Sequence, residues 1–295
     1  MGCGTIGDVS HSPRRAPLDL PALRRDLLVP AGPLARLDVV DVSGSTNADL
    51  VEVVRRAPQE WPAPAALVAE HQVSGRGRAG RAWDTPARAA LTVSVLLRPR
   101  LAPERLGWLP LLAGLAVLRA VDAAGVAGAA VKWPNDVLLP APDDAAGLGP
   151  FRKVAGVLAE VVPGPPGTAP AVVIGVGLNA DQSAAELPVP TATSLALAGA
   201  DTDRDALLGD LVRGLVEAVG ALEDAGGDAA AAGLAAEYAR RSATLGRPVR
   251  AELAGGADVV EGDALRVDDD GSLVLATAAG ERAVTAGDVH HLRTR

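Results

Sequence analysis

AALVAEHQVSGRGRAGRAWDTPARAALTVSVLLR, residues 65–98, decides the fold. Its two ends, AALVAEHQ (65–72) and LTVSVLLR (91–98), are short runs of apolar and β-branched residues, which read as strands. Between them Gly75, Gly77 and Gly80 satisfy the G-x-G-x-x-G spacing of a dinucleotide-binding turn. That turn works by placing pyrophosphate on the N-terminus of a helix that follows a strand. Here Asp84-Thr85-Pro86 and a second strand follow instead, so the context of a doubly wound nucleotide fold is missing. What remains is a glycine loop with Arg76, Arg78 and Arg81 within six residues. Flexible backbone and three guanidinium forks suit a polyphosphate that must be wrapped and released. Taken alone, the loop reads more readily as a solvated arginine-rich turn. An RGG-type RNA segment is a weaker alternative, since there is one copy in an acidic chain.

Working outward, RLDVVDV (36–42) is strand-like and GSTNADLVEVVRRA turns helical. Ser45 or Thr46 can cap that helix, with Asp49 in its first turn and Leu50, Val53 and Val54 facing inward. Before it, DLPALRRDLLV (19–29) puts Leu20, Leu23 and Leu27 on one helical face behind an Asp19 cap and Pro21. Residues 1–16 read as a loose tail. Downstream, residues 108–124 predict a mostly buried helix, and AAVKW (129–133), KVAGVLAEV (153–161) and AVVIGVGLN (171–179) predict three strands. PAPDDAAGLGP and PGPPGTAP read as proline-glycine loops. Residues 204–224 carry Leu208, Leu211, Leu215, Val219 and Leu222 at helical spacing, and GLAAEYARRS continues as a second helix. After about Leu245 the texture becomes RPVRAEL, DALRVDD, GSLVLAT, GERAVTA and DVHHLR. These are the short alternating strands of a small β-barrel, so a boundary falls near residues 242–246.

Composition removes several function classes. The 295 residues include 28 basic and 36 acidic side chains, a net charge of −8, with 48% apolar and 22% charged residues. That is the balance of a folded chain with one large or two moderate domains, not of a disordered or collagen-like one. The acidic balance argues against broad nucleic-acid or anionic-membrane binding. A single cysteine, Cys3, excludes an internal disulfide and a cysteine-cluster metal site. MGCGTIGDVSHSPRR has no signal-peptide core, and Ile6 stands where a myristoylation motif needs Ser or Thr. The longest apolar stretch, residues 108–121, falls short of the roughly 20 residues of a membrane span. A cytoplasmic protein is expected.

Residue usage adds a signal of its own. Of 28 basic residues only Lys132 and Lys153 are lysine, and the chain has three asparagines, Asn47, Asn135 and Asn179. All five lie in GSTNADL, VKWPNDV (131–137), RKVAGVLAEV and VVIGVGLNA. Pro134 breaks the strand and presents polar side chains at its end. Lys153 begins a buried strand and, with Gly156 near, can reach a phosphate or carboxylate. Gly175 and Gly177 thin a strand that Asn179 ends. Each segment has a plain structural explanation as a turn, a snorkelling lysine or a bulge. Their coincidence with the rare residues does not.

Together the segments resemble the biotin–protein ligases: STN at 45–47, AEHQVSGRGRAGRAW at 69–83, KWPND at 132–136, KVAGVLAE at 153–160 and GVGLN at 175–179. TLGRPVRAEL to GDVHHLR, 244–293, resembles the family's C-terminal domain, so the resemblance covers roughly residues 38–293. It implies an α+β fold. A class II aminoacyl-tRNA synthetase/biotin synthetase-like mixed sheet with flanking helices would span 38–243. A tail and short helix (1–37) would precede it, and an SH3-like β-barrel (244–295) would follow. It implies adenylation of biotin with ATP to biotinyl-5′-AMP, then transfer to a lysine of a biotin carboxyl carrier domain.

By motif, Ser45, Thr46, Asn47, Gln72, Gly75, Arg76, Lys153 and Gly156 would hold biotin. Arg76, Gly77, Arg78, Arg81, Trp83, Asn135 and Asn179 would hold the nucleotide. Lys153 and Arg76 would be catalytic, and Asp136 would handle Mg²⁺. Only about 38 residues precede the STN unit, too few for the helix-turn-helix module of repressor-type members, so the type without it is implied. The segment between KWPND and KVAGVLAE looks long for a hairpin, which loosens the expected spacing of Lys153 from Asn135. The enzyme alternative is a lipoate–protein ligase of the same fold, against which the GRGRAGRAW and KWPND pairing speaks. A biotin-responsive DNA-binding repressor is disfavoured by the short N-terminus and acidic charge, and a nicotinamide oxidoreductase rests on the glycine spacing alone. Expected partners are the carrier domain and at most a weak homodimer, with no membrane and no nucleic acid.

Overall fold

The computed structural model describes residues 15–164, 169–253, 258–285 and 287–292. Residues 1–14 of the expected tail and 165–168 of the PGPPGTAP segment lie outside the described residues.

Helix α1 (Leu20–Leu27) begins at Asp19, whose carboxylate accepts from the Ala22 amide at 3.0 Å. Strand β1 (Arg36–Val40), helix α2 (Thr46–Arg56) and strand β2 (Ala65–Ala69) follow. A small hairpin, β3 (Gly75–Arg76) with β4 (Ala82–Trp83), then leads to β5 (Ala90–Leu97). Next come helix α3 (Leu109–Ala123) and strands β6 (Ala130–Lys132), β7 (Asp136–Ala145), β8 (Gly149–Val162) and β9 (Ala171–Asn179). Helices α4 (Arg204–Asp224) and α5 (Leu234–Arg241) precede a second set of strands: β10 (Pro248–Leu253), β11 (Val259–Val267), β12 (Leu273–Thr277), β13 (Gly280–Val284) and β14 (Gly287–His291).

Among the described residues the strands make a mixed seven-stranded sheet in the order β1-β2-β5-β9-β8-β7-β6. Strands β1 and β2 run parallel and the other neighbours antiparallel. Successive strand residues point to opposite faces, so each strand serves two layers. Val172, Ile174 and Val176 of β9 join the main core with α3 and α4. Ala171 and Val173 pack with Leu50, Val51 and Val54 of α2 on the other face. Continuing that second face by twos gives Gly175, Gly177 and Asn179, which determines where a site can open.

Three local expectations change. The PAPDDAAGLGP segment is no loop: β7 and β8 continue as a hairpin, with Pro140 opposite Phe151 and Ala145 opposite Gly149. Strand β6 covers β7 only as far as Leu138. Among the described residues no strand pairs with the outer edge of β7 beyond that point, so Pro140 and Pro142 need donate nothing there. Helix α2 starts at Ser45 without a side-chain cap of its own. Gln72, from the following loop, accepts from the Thr46 amide at 2.8 Å and does the capping. On the same helix Val51 is buried with Leu50 and Val54, and Val53, partly buried, packs against that cluster. Finally, a 3₁₀ turn over Pro103–Trp108 runs directly into α3, so Pro103–Ala123 is long and apolar enough to cross a membrane by length and composition. Most of that run is buried inside the protein.

The second sheet is antiparallel throughout, in the order β13-β12-β11-β10-β14. Two indoles fasten it to the first. Trp108 donates from Nε1 to the Asp268 carbonyl at 3.1 Å, and Trp133 to the Gly271 carbonyl at 3.0 Å. Gly271 takes φ +84°, and a Cβ there would lie 2.5 Å from the Gly107 carbonyl carbon, so glycine alone fits this contact. Val249, Ala251, Leu273 and Val289 share one core cluster with Trp108 and Trp133.

His291, at the end of β14, is buried. Burial first, then the nearby charges of Lys132 and Arg247, push its pKa down to about 4. Its folded pKa lies below the ordinary 6.5, so unfolding takes up a proton between those values. Its contribution to stability is complete above pH 6.5 and is lost as the pH falls towards 4. Urea midpoints measured across that window are expected to fall less steeply in His291→Gln than in the natural chain, and parallel slopes would refute this.

Candidate active site

A cavity of about 560 Å³ lies on the β8–β9 face, between the N-terminus of α2, the β3–β4 hairpin and the second sheet. Gly175 sits opposite Leu158, and Gly177 opposite Gly156, so three glycines leave much of the floor without side chains. Each absence is filled from above. A Cβ on Gly175 would overlap Asn47 Oδ1 and come within 2.8 Å of its Cγ. A Cβ on Gly177 would meet the Trp83 ring, 2.6 Å from Cζ2, and one on Gly156 would lie 3.0 Å from Lys153 Nζ. Strand period two spaces the floor positions 175, 177 and 179 along one line roughly 13 Å long, at about 3.3 Å per residue.

At one end of this line the cavity is lined by polar, uncharged side chains, Ser45, Thr46, Asn47 and Gln72. Asn47 donates from Nδ2 to the Leu158 carbonyl (3.1 Å) and to Glu160 Oε2 (2.9 Å), and its Oδ1 accepts from Ser94 Oγ (2.6 Å). Ser94 Oγ also lies 2.8 Å from Thr46 Oγ1. Gln72 Oε1 takes both the Thr46 amide and, at 3.1 Å, its hydroxyl. The first orphan amide of α2 is therefore already satisfied, which makes this end a poor anion site and a good one for a neutral hydrogen-bonding group.

Beside the middle of this line, across β8 and β7, the cavity is cationic. Arg76, Arg78, Arg81, Lys132 and Lys153 line the cavity against the carboxylates of Asp84 and Asp136, so bound anions are favoured. Lys153 Nζ stands 2.6 Å from Asp136 Oδ1. Burial pushes the Asp136 carboxyl up, but Lys153 and Lys132 outweigh it and hold its pKa below the usual range. Burial lowers the pKa of Lys132, an effect that Asp136 opposes. Arg78 reaches Asn135 Oδ1 at 3.1 Å, and Asn135 Nδ2 donates to the Val157 carbonyl at 3.0 Å. Arg81 pairs with Asp288 of β14 at 2.6 Å, tying the hairpin to the second sheet.

Several sequence assignments shift. The glycine-arginine segment is a folded hairpin, its β3 and β4 paired Gly75 to Trp83 and Arg76 to Ala82. Gly75 is part of that hairpin and packs closely there, since a Cβ on it would run into the Trp83 carbonyl and approach Gln72 Nε2 at 2.9 Å. Asn179 is at the wall, yet its amide is engaged with protein: Nδ2 donates to the Thr193 carbonyl and Oδ1 accepts from Gln182, both at 2.9 Å. Asp136, expected to hold Mg²⁺, is paired with a lysine. Among the described residues no three His, Cys, Asp or Glu side chains gather as a metal cage. The other proposed residues, Ser45, Thr46, Asn47, Gln72, Arg76, Gly77, Arg78, Arg81, Trp83, Asn135, Lys153 and Gly156, do meet at the cavity. Ser94, Gln182, Thr191 and His290 escaped the sequence reading. Nothing local marks them, although the polar run Thr191–Ser194 next to a cavity strand was a usable signal.

A model described as the biotin/lipoate A/B protein ligase family matches residues 42–179, and one described as the biotin protein ligase C terminal domain matches residues 244–292. The chain is 43% identical over 283 residues to the biotin–[acetyl-CoA-carboxylase] ligase of Mycobacterium tuberculosis, covering 95% of this chain and 97% of that one. It is 32% identical over 265 residues to the protein of the same description from Paracoccus denitrificans, 87% of this chain and 98% of that one. Among solved structures it is similar to the biotin protein ligase of Aquifex aeolicus in complex with biotin and ATP. The TM-score is 0.67 at 25% identity, over 88% of this chain and 99% of that one.

Proposed function

The chain belongs to the biotin/lipoate A/B protein ligase family, and on that premise we propose how its cavity works. The protein is an ATP-dependent biotin–protein ligase. The observation that carries the reading is the cavity's lining: neutral hydrogen-bonding groups at α2, and close by a cationic group that includes Arg78, Lys132 and Lys153.

Biotin's uncharged ring system suits the Ser45, Thr46, Asn47 and Gln72 end, with the Arg76 backbone alongside and its carboxylate directed towards Lys153. The nucleotide suits the Asn135 to Asn179 end, its phosphates facing Arg76, Arg78 and Arg81. Two anions must then meet, and Lys153 offsets their repulsion where carboxylate and α-phosphate converge. The biotin carboxylate oxygen attacks the α-phosphorus, the bond to pyrophosphate breaks, and biotinyl-5′-AMP forms. The amine of a carrier lysine later attacks the acyl carbon and AMP leaves. No protein nucleophile is needed. The hairpin, with Trp83 over the Gly156–Gly177 floor, keeps water from the mixed anhydride.

Asp136 with the Asn135 amide fits Mg²⁺ only as an ion that keeps its phosphate and water ligands. When bound, Mg²⁺ would offset phosphate charge. The first sheet is read as class II synthetase-like and the second as an SH3-like barrel, with domains 38–243 and 244–295. The acceptor is read as a carrier domain of acetyl-CoA carboxylase, and the protein as a cytoplasmic monomer or weak homodimer.

Incubation with ATP, Mg²⁺, biotin and a carrier domain should give one biotinyl mass increment on the carrier. Lipoate in place of biotin should give none. No increment on a competent carrier would defeat the assignment. Gly175→Ala should raise the biotin KM by about tenfold or more, because overpacking a fixed side chain costs roughly 1–3 kcal/mol. Asn47 is held by Ser94, Leu158 and Glu160 and cannot retreat freely. An unchanged biotin KM would remove Asn47 from the biotin end.

A further inference from the structure

We propose that Arg15, far outside the cavity in sequence and in contact with none of the groups above, is a positioning residue for nucleotide binding. The inference rests on the nucleotide lying at the Asn179 end. Arg15 donates from Nε to Asp181 Oδ2 at 3.0 Å and from Nη2 to the Asp181 carbonyl at 2.7 Å. It also grips Glu186 through both terminal nitrogens, at 3.2 and 2.8 Å. Its side chain is only 8% exposed, unlike an incidental surface pair. This fork holds down a segment that begins directly after Asn179.

Inside the segment, Glu186 is further fixed by the amide and hydroxyl of Ser183, both at 2.9 Å. Gln182 aligns the Asn179 amide, and Ser194 Oγ donates to the Gln182 carbonyl at 2.7 Å. Past Glu186 the same segment supplies Pro188, Val189, Thr191 and Ala192 to the cavity wall. Its far end is paired with the backbone of the central lysine: Lys153 N donates to Thr191 O and Thr193 N to Lys153 O, each at 2.8 Å. Arg15 therefore anchors the outer edge of a wall whose inner edge touches the reaction centre.

Arg15 is itself held in place by its neighbours. Arg204 donates to the Ala16 carbonyl at 2.7 Å, and the Leu18 amide donates to Glu70 Oε1 at 2.7 Å. Glu70 in turn holds Arg204 at 2.7 Å, and both Glu70 and Arg204 are buried. The N-terminal segment is thus pinned to the end of β2 and the start of α4, and Arg15 transfers that fixed position to the 181–192 wall. Charge-assisted contacts of this kind fix geometry as well as adding energy.

The test uses the full chain with Arg15→Ala and Arg15→Lys, and Arg100→Ala as an exposed ion-pair control. KM values for ATP and biotin come from pyrophosphate release, and hydrogen exchange reports on residues 181–195. Arg15→Ala should raise the ATP KM about tenfold, the scale of one lost charge-assisted hydrogen bond. The biotin KM should stay within about twofold, exchange at 181–195 should quicken, Arg15→Lys should fall between, and the control should match the natural chain. An unchanged ATP KM overturns the proposal, and so do equal rises in both KM values with a lower Tm. If the natural chain releases no pyrophosphate, the functional reading fails separately. ATP-dependent protection of 181–195, present in the natural chain and lost in Arg15→Ala, would still support the role of Arg15, and its absence would overturn it.

Discussion

Lys153→Ala is expected to lower kcat/KM for biotinyl-adenylate formation by about 10³-fold or more, while the chain stays folded. Removal of one preorganised donor to a developing charge typically costs about 10²–10³-fold. On the proposed function Lys153 meets two anions at once, and its Nζ lies close over the backbone of Gly156. Lys132, a further cation of the cavity, is buried and belongs to β6, two strands away beyond β7. Because removal of Lys153 leaves Asp136 facing Lys132 with less compensation, Lys153→Gln is the companion variant, filling the same space without charge. Both should bind biotin yet release almost no pyrophosphate, and Lys153→Arg should recover little, since a planar fork does not replace a point charge. Ordinary pyrophosphate release from either folded variant would remove Lys153 from the chemistry.

The second large effect is structural. Trp133→Ala is expected to destabilise the chain by roughly 3–5 kcal/mol, the range for truncating a buried aromatic residue. Trp133 is 1% exposed, and its indole nitrogen supplies the Gly271 carbonyl of the second sheet. Since both sheets contribute to one core cluster, the loss should shift a single unfolding transition to lower urea, not split it in two. Circular dichroism and limited proteolysis followed together would check this. Early release of an intact, folded 38–243 fragment from the natural chain would contradict the shared core.

Trp133 also shows why motif reading misleads locally. KWPND looked like a cluster of site residues, and Lys132, Asn135 and Asp136 do line the cavity, but the tryptophan between them anchors the other sheet. The rare lysines and asparagines were a better guide than any motif, because all five reach the cavity. Helix α4 matches its periodicity end to end, since an apolar stripe on a long helix is a local signal. The β7–β8 hairpin was missed because proline reads as a breaker unless one knows that a strand edge is bare. Gln72 as the cap of α2, and Arg15 on Asp181, are pairings over 26 and 166 residues, and periodicity carries no information at that range.

The ion pair of Lys153 with Asp136 has a consequence for the resting enzyme. Lys153 is only partly buried, and Asp136 fixes where its ammonium stands. On the proposed function, Asp136 acts as a stand-in for the substrate's own anion and holds the ammonium in place until biotin and nucleotide arrive. Binding is then an exchange of one oxyanion for another around a fixed cation, closer to ligand substitution than to the filling of an empty hole.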